Sequence, residues 1–424
     1  MPVGEGFLER DGVRLHWVEW APSQPEEDDG VAILALHGLS SNALFWGRLA
    51  EQLPHRRLVA LDQRAHGASD APAGGYKMED LSADALIALT ELDLGRPVLI
   101  GHSWGGSVAL DLAATSPERI SGLGLIDSPI LPLAERLTWD QAAQVMQPDL
   151  PRYAELDQAY RVAADLLGPA WAADLEPFVA ASHRRDGDAW VLTLTAEVRL
   201  QILKQLFAFQ PALLFERLEG LPVLLALAGA DAGFRPWKEQ GAREVKSAIP
   251  DADVRWYHSG HDIPLILPAE IARDVERLCV RAAWRELARD AATLSGDWAA
   301  PSGSGEWSAK DLLAHLSSSQ AAMAPLLALG PPKPGAEPFD ADRWNASQVR
   351  RRHDTPAAEL IAELERGTQA LDAALLTADL AAPMPAGSEA GRSIASAMRA
   401  MARHQREHLE ELRLALGSAL GRPA

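Results

Sequence analysis

Two groups of residues in this 424-residue chain have types and spacings that suggest chemistry. The first is Gly101-His102-Ser103-Trp104-Gly105, set between the apolar run RPVLI and the helical pattern VALDLAA. Glycines on both sides of a serine let the chain turn sharply from strand to helix, which lifts the hydroxyl of Ser103 into the open near a helix N-terminus. A serine hydroxyl is a weak nucleophile at neutral pH, so it needs a histidine to take its proton and a carboxylate to orient that histidine. Chance alone would give the bare G-x-S-x-G pattern about 0.1 times in such a chain. Its weight comes from the strand before it, the helix after it, and later partners in the order serine, acid, histidine. The second group is His404 and His408 in AMARHQREHLEELRLAL, where i and i+4 spacing puts both rings on one helix face, as one metal ion requires. A solvated face explains such a pair equally well. His315 lies about two turns into another helix, whose start near Ala309 is marked by a capping box of Ser308 and Asp311.

The elements that must position these residues follow from periodicity. Four apolar runs, at 31–38, 56–62, 96–103 and 120–127, alternate with amphipathic segments, the pattern of a parallel sheet covered by helices on both faces. Before them, DGVRLHWVEW alternates as an antiparallel edge strand does. From about 130 to 215 the patterns are helical, with no clear buried strand, and the α/β rhythm resumes at 221–231 and 252–262. Around Arg281 the chain becomes Ala/Leu/Glu/Arg-rich and helical, broken by SGDWAAPSGSGEW and by the Pro/Gly stretch GPPKPGAEP. The expected organisation is an α/β domain over 1–280, with a helical insertion at about 130–215, and an all-α bundle domain over 281–424.

Four stretches carry a resemblance to the α/β-hydrolase family over residues 1 to about 280: LHGLSSNALFW, LDQRAHGASD, GHSWGG, and GADAGF with SGHDIPL. The resemblance implies a mostly parallel sheet with a helical cap, a nucleophile at Ser103, a base at His261 and an acid at Asp231. Asp127, also just past a buried strand, is the alternative acid. The backbone N–H groups of Leu39 and Trp104 would form the oxyanion hole. His37, His66 and His102 are expected to pack loops rather than carry protons. Ala65 stands where the family usually has glycine. A serine nucleophile disfavours the branches that work through a carboxylate, and favours acyl transfer to water without a cofactor. Carboxylic esters, lactones and C–C bonds are all cleaved by the same triad. The aromatic and Leu/Met content of the insertion points to a small-molecule substrate of small to medium size and largely apolar character.

The segment 281–424 resembles the DinB-like superfamily of four-helix bundles, which includes mycothiol-dependent maleylpyruvate isomerases. Trp307, Asp311, His315 and Leu316 match its first element, and His404 with His408 match its second. The resemblance implies a metal site of His315, His404 and His408, suited to zinc or nickel. A metal- and thiol-dependent transferase or isomerase is therefore the rival activity. Ligand binding, a scaffold role or homodimer formation are the non-catalytic alternatives.

Composition narrows the partners. Apolar residues make up 47% and charged residues 23%, a globular balance. The formal charge of −19, with no Lys/Arg-rich run, is the wrong footprint for nucleic acid or an anionic membrane. No apolar stretch approaches the roughly 20 residues of a membrane helix. The single cysteine, Cys279, and a start without a charged n-region or apolar h-region read as a cytoplasmic protein.

Overall fold

The computed structural model describes residues 2–147, 150–303, 307–329 and 339–417. The Pro/Gly stretch at 330–338 lies outside them. The described residues form two compact units: 2–25 with 31–278, and Glu26–Gly30 with 279–417.

The first unit begins with β1 (Gly4–Arg10), β2 (Val13–Trp20), β3 (Ile33–Leu36), α1 (Gly47–Glu51), β4 (Leu58–Leu61), α2 (Met78–Glu91), β5 (Val98–His102), α3 (Trp104–Thr115) and β6 (Gly122–Ile126). An insertion follows, of α4 (Trp139–Met146), β7 (Arg152–Tyr153), α5 (Leu156–Leu167), α6 (Glu176–Ala181), β8 (His183–Asp186), β9 (Ala189–Leu192) and α7 (Ala196–Ala208). The unit ends with β10 (Val223–Ala228), α8 (Arg235–Ala248), β11 (Asp253–Tyr257), α9 (Ile263–Ile266) and the first part of α10 (Pro268–Ala292).

The eight-stranded sheet has the order β1-β2-β4-β3-β5-β6-β10-β11. Its first two pairings are antiparallel and the remaining five parallel. Every residue of β3, β4, β5, β6 and β10 is buried, as expected of strands covered on both faces. After β3 and β4 the chain crosses to the other side of β3 for β5. The loops after β3 and β5 therefore diverge at the sheet's switch point, where open α/β sheets hold their sites.

Two expectations are corrected. The edge strand is β1, not the segment containing β2, because GEGFLER pairs outside it with mostly exposed or half-exposed residues. The insertion is not wholly helical: β7, β9 and β8 form a small antiparallel sheet in that order. Its strands are two to four residues long and none of their residues is buried, and the apolar run AWVL of β9 is too short to stand out as a core strand. The boundary placed at 280/281 lies within two residues of the division between the units at 278/279, inside a single helix, α10, which carries no proline or glycine after Pro268 to break it.

In the second unit, which takes in the end of α10, α11 (Ala309–Leu327) packs against α12 (Ala341–Arg351), α13 (Ala357–Leu375) and α14 (Ile394–Ala415). Ser308 caps α11 as its sequence implies, Oγ accepting from Asp311 N at 3.2 Å and Asp311 Oδ2 accepting from Ser308 N at 3.1 Å. Buried Arg281 bonds both carboxylate oxygens of Asp372, at 2.8 and 2.9 Å. Glu27 belongs to this unit: its carboxylate accepts from Arg399, from Arg392 and from Ser396. No described helix is long and apolar enough to cross a membrane.

Candidate functional site

Ser103 sits in the turn between β5 and α3 with φ +52°, a left-handed conformation that a non-glycine residue holds only under strain. The glycines around it are needed for close approach. A Cβ on Gly105 would lie 2.4 Å from the carbonyl oxygens of Leu36 and His37, and one on Gly101 2.4 Å from that of Gly105. Small residues thus clamp α3 against β3 and β5, with the serine at the helix's N-terminus. The N–H of Trp104, first in α3, has no carbonyl four residues back to accept it. The loop after β3 comes close as well, since a Cβ on Gly38 would be 3.2 Å from Ser103 Cβ. Leu39 follows Gly38, so the two N–H groups expected to face an oxyanion flank the serine.

Asp127 follows β6 and also has a positive φ, +45°. Its Oδ2 lies 2.6 Å from His261 Nδ1, and its Oδ1 accepts from the Ala228 N–H at 2.9 Å. Lys238 of α8 reaches the same carboxylate, Nζ standing 2.6 and 2.9 Å from its two oxygens and 2.9 Å from the Ala228 carbonyl. Burial pushes the Asp127 carboxyl up, but the His261 hydrogen bond, the His261 charge and Lys238 outweigh it, leaving the group below its ordinary value. For His261, burial pushes down, while the hydrogen bond and charge of Asp127, helped by Asp262, prevail and raise it.

Asp231 is elsewhere. Its Oδ1 accepts from Gly233 N at 2.8 Å and Phe234 N at 3.3 Å, closing the turn that starts α8. The expected pairing of His261 with Asp231 is thus replaced by pairing with Asp127. The ends of β6 and β10 are neighbours in the sheet, so either strand could deliver an acid, and the turn consumes the one after β10.

His37, His66 and His102 pack loops, and burial pushes each below the ordinary imidazole value. His102 stacks on Phe45, with centroids 4.6 Å apart, and its Nε2–H donates to the carbonyl of His261 at 3.1 Å. It carries the base loop toward Ser103: the His102 and His261 rings are 4.6 Å apart. Burial and the nearby His261 charge hold His102 down at about 3. His37 Nε2 accepts from Gln63 N and His66 Nε2 from Ser40 N, each at 3.1 Å, and burial with the His37 charge holds His66 at about 3. Ala65 takes a φ of +68°, the left-handed conformation that glycine would adopt without strain.

Two residues the sequence reading did not single out also face this region. Lys238 is one and Arg199 the other, its Nε donating to the Met146 carbonyl at 2.9 Å and its Nη1 to Ser40 Oγ. A lone Lys or Arg in an amphipathic helix gives no signal of its target.

In the second unit, ligand nitrogens of His315, His404 and His408 all lie within 4.8 Å of one another. His404 Nε2 and His408 Nε2 are 3.2 Å apart, and buried His315 Nδ1 has no hydrogen-bond partner. Burial and the charges of His408 and His404 hold His315 at about 4, and burial followed by His408 lowers His404, both shifts toward the neutral imidazole that has a lone pair to offer a metal. An orphaned buried nitrogen among three converging rings fits a divalent cation. His315 and His404 also line a cavity of about 710 Å³ with Trp344, Asn345, Arg392 and Arg403.

Residues 31–265 match the family model described as the alpha/beta hydrolase fold, and 280–409 match that of the mycothiol maleylpyruvate isomerase N-terminal domain. Lipase LipV of Mycobacterium tuberculosis is 33% identical over 190 residues, 44% of this chain and 69% of that protein. Epoxide hydrolase 4 of Mus musculus is 38% identical over 125 residues, 29% of this chain, which spans only 33% of that protein's length. The crystal structure of a hypothetical protein from Pseudomonas aeruginosa PAO1 superposes with a TM-score of 0.51 at 26% identity, covering 64% of this chain and 98% of that one.

Proposed function

This chain belongs to the α/β hydrolase fold family, and on that footing we propose that it is a serine hydrolase cleaving a carboxylic ester or lactone through an acyl-enzyme at Ser103. The observation that carries the reading is the 2.6 Å contact of His261 Nδ1 with the buried Asp127 carboxylate, beside a serine held in the strained turn. In this reading Asp127, not Asp231, is the acid. It fixes the tautomer in which Nδ1 carries the proton, leaving Nε2 free as the base, and stabilises the imidazolium that forms.

His261 Nε2 takes the Ser103 proton as Oγ bonds to the acyl carbon, and the carbonyl oxygen becomes an oxyanion facing the N–H groups of Leu39 and Trp104. The C–O bond to the leaving group then breaks and His261 returns the proton to it. Water repeats the sequence, releasing the acid and restoring the serine. A donor pair of this kind contributes a few kcal/mol to lowering the barrier. The test is labelling by a fluorophosphonate alongside a panel of aryl esters of graded chain length and simple lactones. Wild type should label and turn over, and Ser103→Ala should do neither; equal labelling of both would remove the reading.

The histidine cluster supports a second activity. His315, His404 and His408 would hold a divalent ion, zinc or nickel, which when bound supplies a Lewis acid beside the bundle's cavity. A thiol-dependent transfer or isomerisation is the reaction class that this site and the match of residues 280–409 favour.

A further inference from the structure

Arg199 is a half-buried cation with no acid to balance it. Its guanidinium bonds only neutral oxygens, the Met146 carbonyl and the Ser40 hydroxyl, and no Asp or Glu among the described residues lies within ion-pair distance. Burial alone pushes its pKa below the ordinary arginine value, with no carboxylate acting against it. Three other arginines of this unit are treated differently: Arg56 is paired with Glu276, Arg64 with Asp84 and Arg48 with Asp174. In a chain whose acids outnumber its bases by 59 to 40, an unmatched buried cation is not a matter of supply. Withdrawing a charge from water without a counter-charge is unfavourable, and a ligand anion that completes the site would offset it.

Its position says which ligand. Ser40, which receives the Nη1 bond, has φ +64° and is pinned by its own N–H to His66. It follows Leu39, the proposed oxyanion donor, and lies two residues after Gly38, where a Cβ would fall 3.2 Å from that of Ser103. Arg199 therefore stands on the loop that lines the nucleophile. Nη2 makes no hydrogen bond to a described residue, which leaves one side of the guanidinium fork available. We propose that Arg199 binds a carboxylate carried by the substrate, so that the ester or lactone cleaved at Ser103 bears a second, free acid group. This rests on the serine-hydrolase reading, and sharpens the expectation of a largely apolar substrate to an apolar body anchored by one anion. A planar, bidentate acceptor suits the fork better than it would suit a lysine.

The experiment uses the full chain and matched substrates: 1-naphthyl hemiesters of succinate, glutarate and adipate against 1-naphthyl butanoate, pentanoate and hexanoate. Wild type should prefer the hemiester at one chain length or more. In Arg199→Met the hemiester-to-neutral ratio of kcat/KM should fall about 10- to 100-fold, the range of a lost charge-assisted hydrogen bond, with most of the loss in KM. Arg199→Lys should fall between. An unchanged ratio in a folded Arg199→Met, or no hemiester preference in wild type at low salt, overturns the proposal and leaves Arg199 a strut between α7 and the Ser40 loop. Binding of free glutarate, read by calorimetry on wild type and Arg199→Met, needs no turnover. Glutarate binding lost in the variant upholds the anion site even if fluorophosphonate labelling fails and the hydrolase reading with it; no glutarate binding to wild type counts against the site.

Discussion

At the scale of single residues, the acid is the point on which the site turns. Asp127 and Asp231 each follow a buried strand, and β6 and β10 lie side by side, so sequence distance from a strand end cannot separate them. The decision is made by hydrogen bonds: Asp231 spends its carboxylate on the turn before α8, and Asp127 keeps an oxygen for His261. Asp127→Asn should therefore lower kcat by about 10³- to 10⁴-fold, whereas Asp231→Asn should keep ester turnover within a few-fold; the reverse pattern in steady-state assays would return the role to Asp231. Lys238 adds an electrostatic consequence. In the proposed mechanism His261 must be neutral to act as base, so kcat/KM should fall as pH drops through its raised pKa. The Lys238 charge lowers that pKa, and Lys238→Met should raise it, moving the acid limb of the pH profile to higher pH. A limb that stays in place or moves to lower pH would show that Lys238 does not tune the base.

At the scale of elements, what the sequence made legible was whatever had a buried apolar period. The strands β3 to β6, β10 and β11 coincide with the apolar runs, and Ser103, His261 and the capping box at Ser308 coincide with their local patterns. What escaped had no such signal. The strand β1 carries glycines and glutamates, the insertion strands β7 to β9 bury none of their residues, and α10 changes composition midway without a residue that breaks a helix. The unusual Ala65 is a case where the structure supplies the missing reason. Its φ of +68° costs an alanine about 1–2 kcal/mol, while the extra freedom glycine gives the unfolded chain costs about 0.4–1 kcal/mol. Ala65→Gly should accordingly be neutral or stabilising by up to about 1.6 kcal/mol, which thermal unfolding can read; a loss of more than about 1 kcal/mol would mean that the methyl's packing outweighs the strain.

At the scale of the whole molecule, one chain carries two kinds of site, a serine turn in the first unit and a histidine cluster in the second. The cluster is testable without knowing its reaction. Full-length protein loaded with zinc or nickel and desalted should retain about one equivalent, and His404→Ala and His315→Ala should each lose most of it. Retention by both variants would move the metal elsewhere. The second unit also contains Glu26–Gly30, a strip of chain from between β2 and β3. Glu27 there receives Arg399, Arg392 and Ser396 of the bundle. Linear order and folding unit are therefore not the same thing in this protein. A single cut near residue 279 would not yield two finished modules: the C-terminal piece would keep Arg399 and lose its counter-charge, and the N-terminal piece would keep an acidic strip whose receptor had been removed. Transplanting the bundle onto another enzyme would require carrying those five residues along as a separate graft.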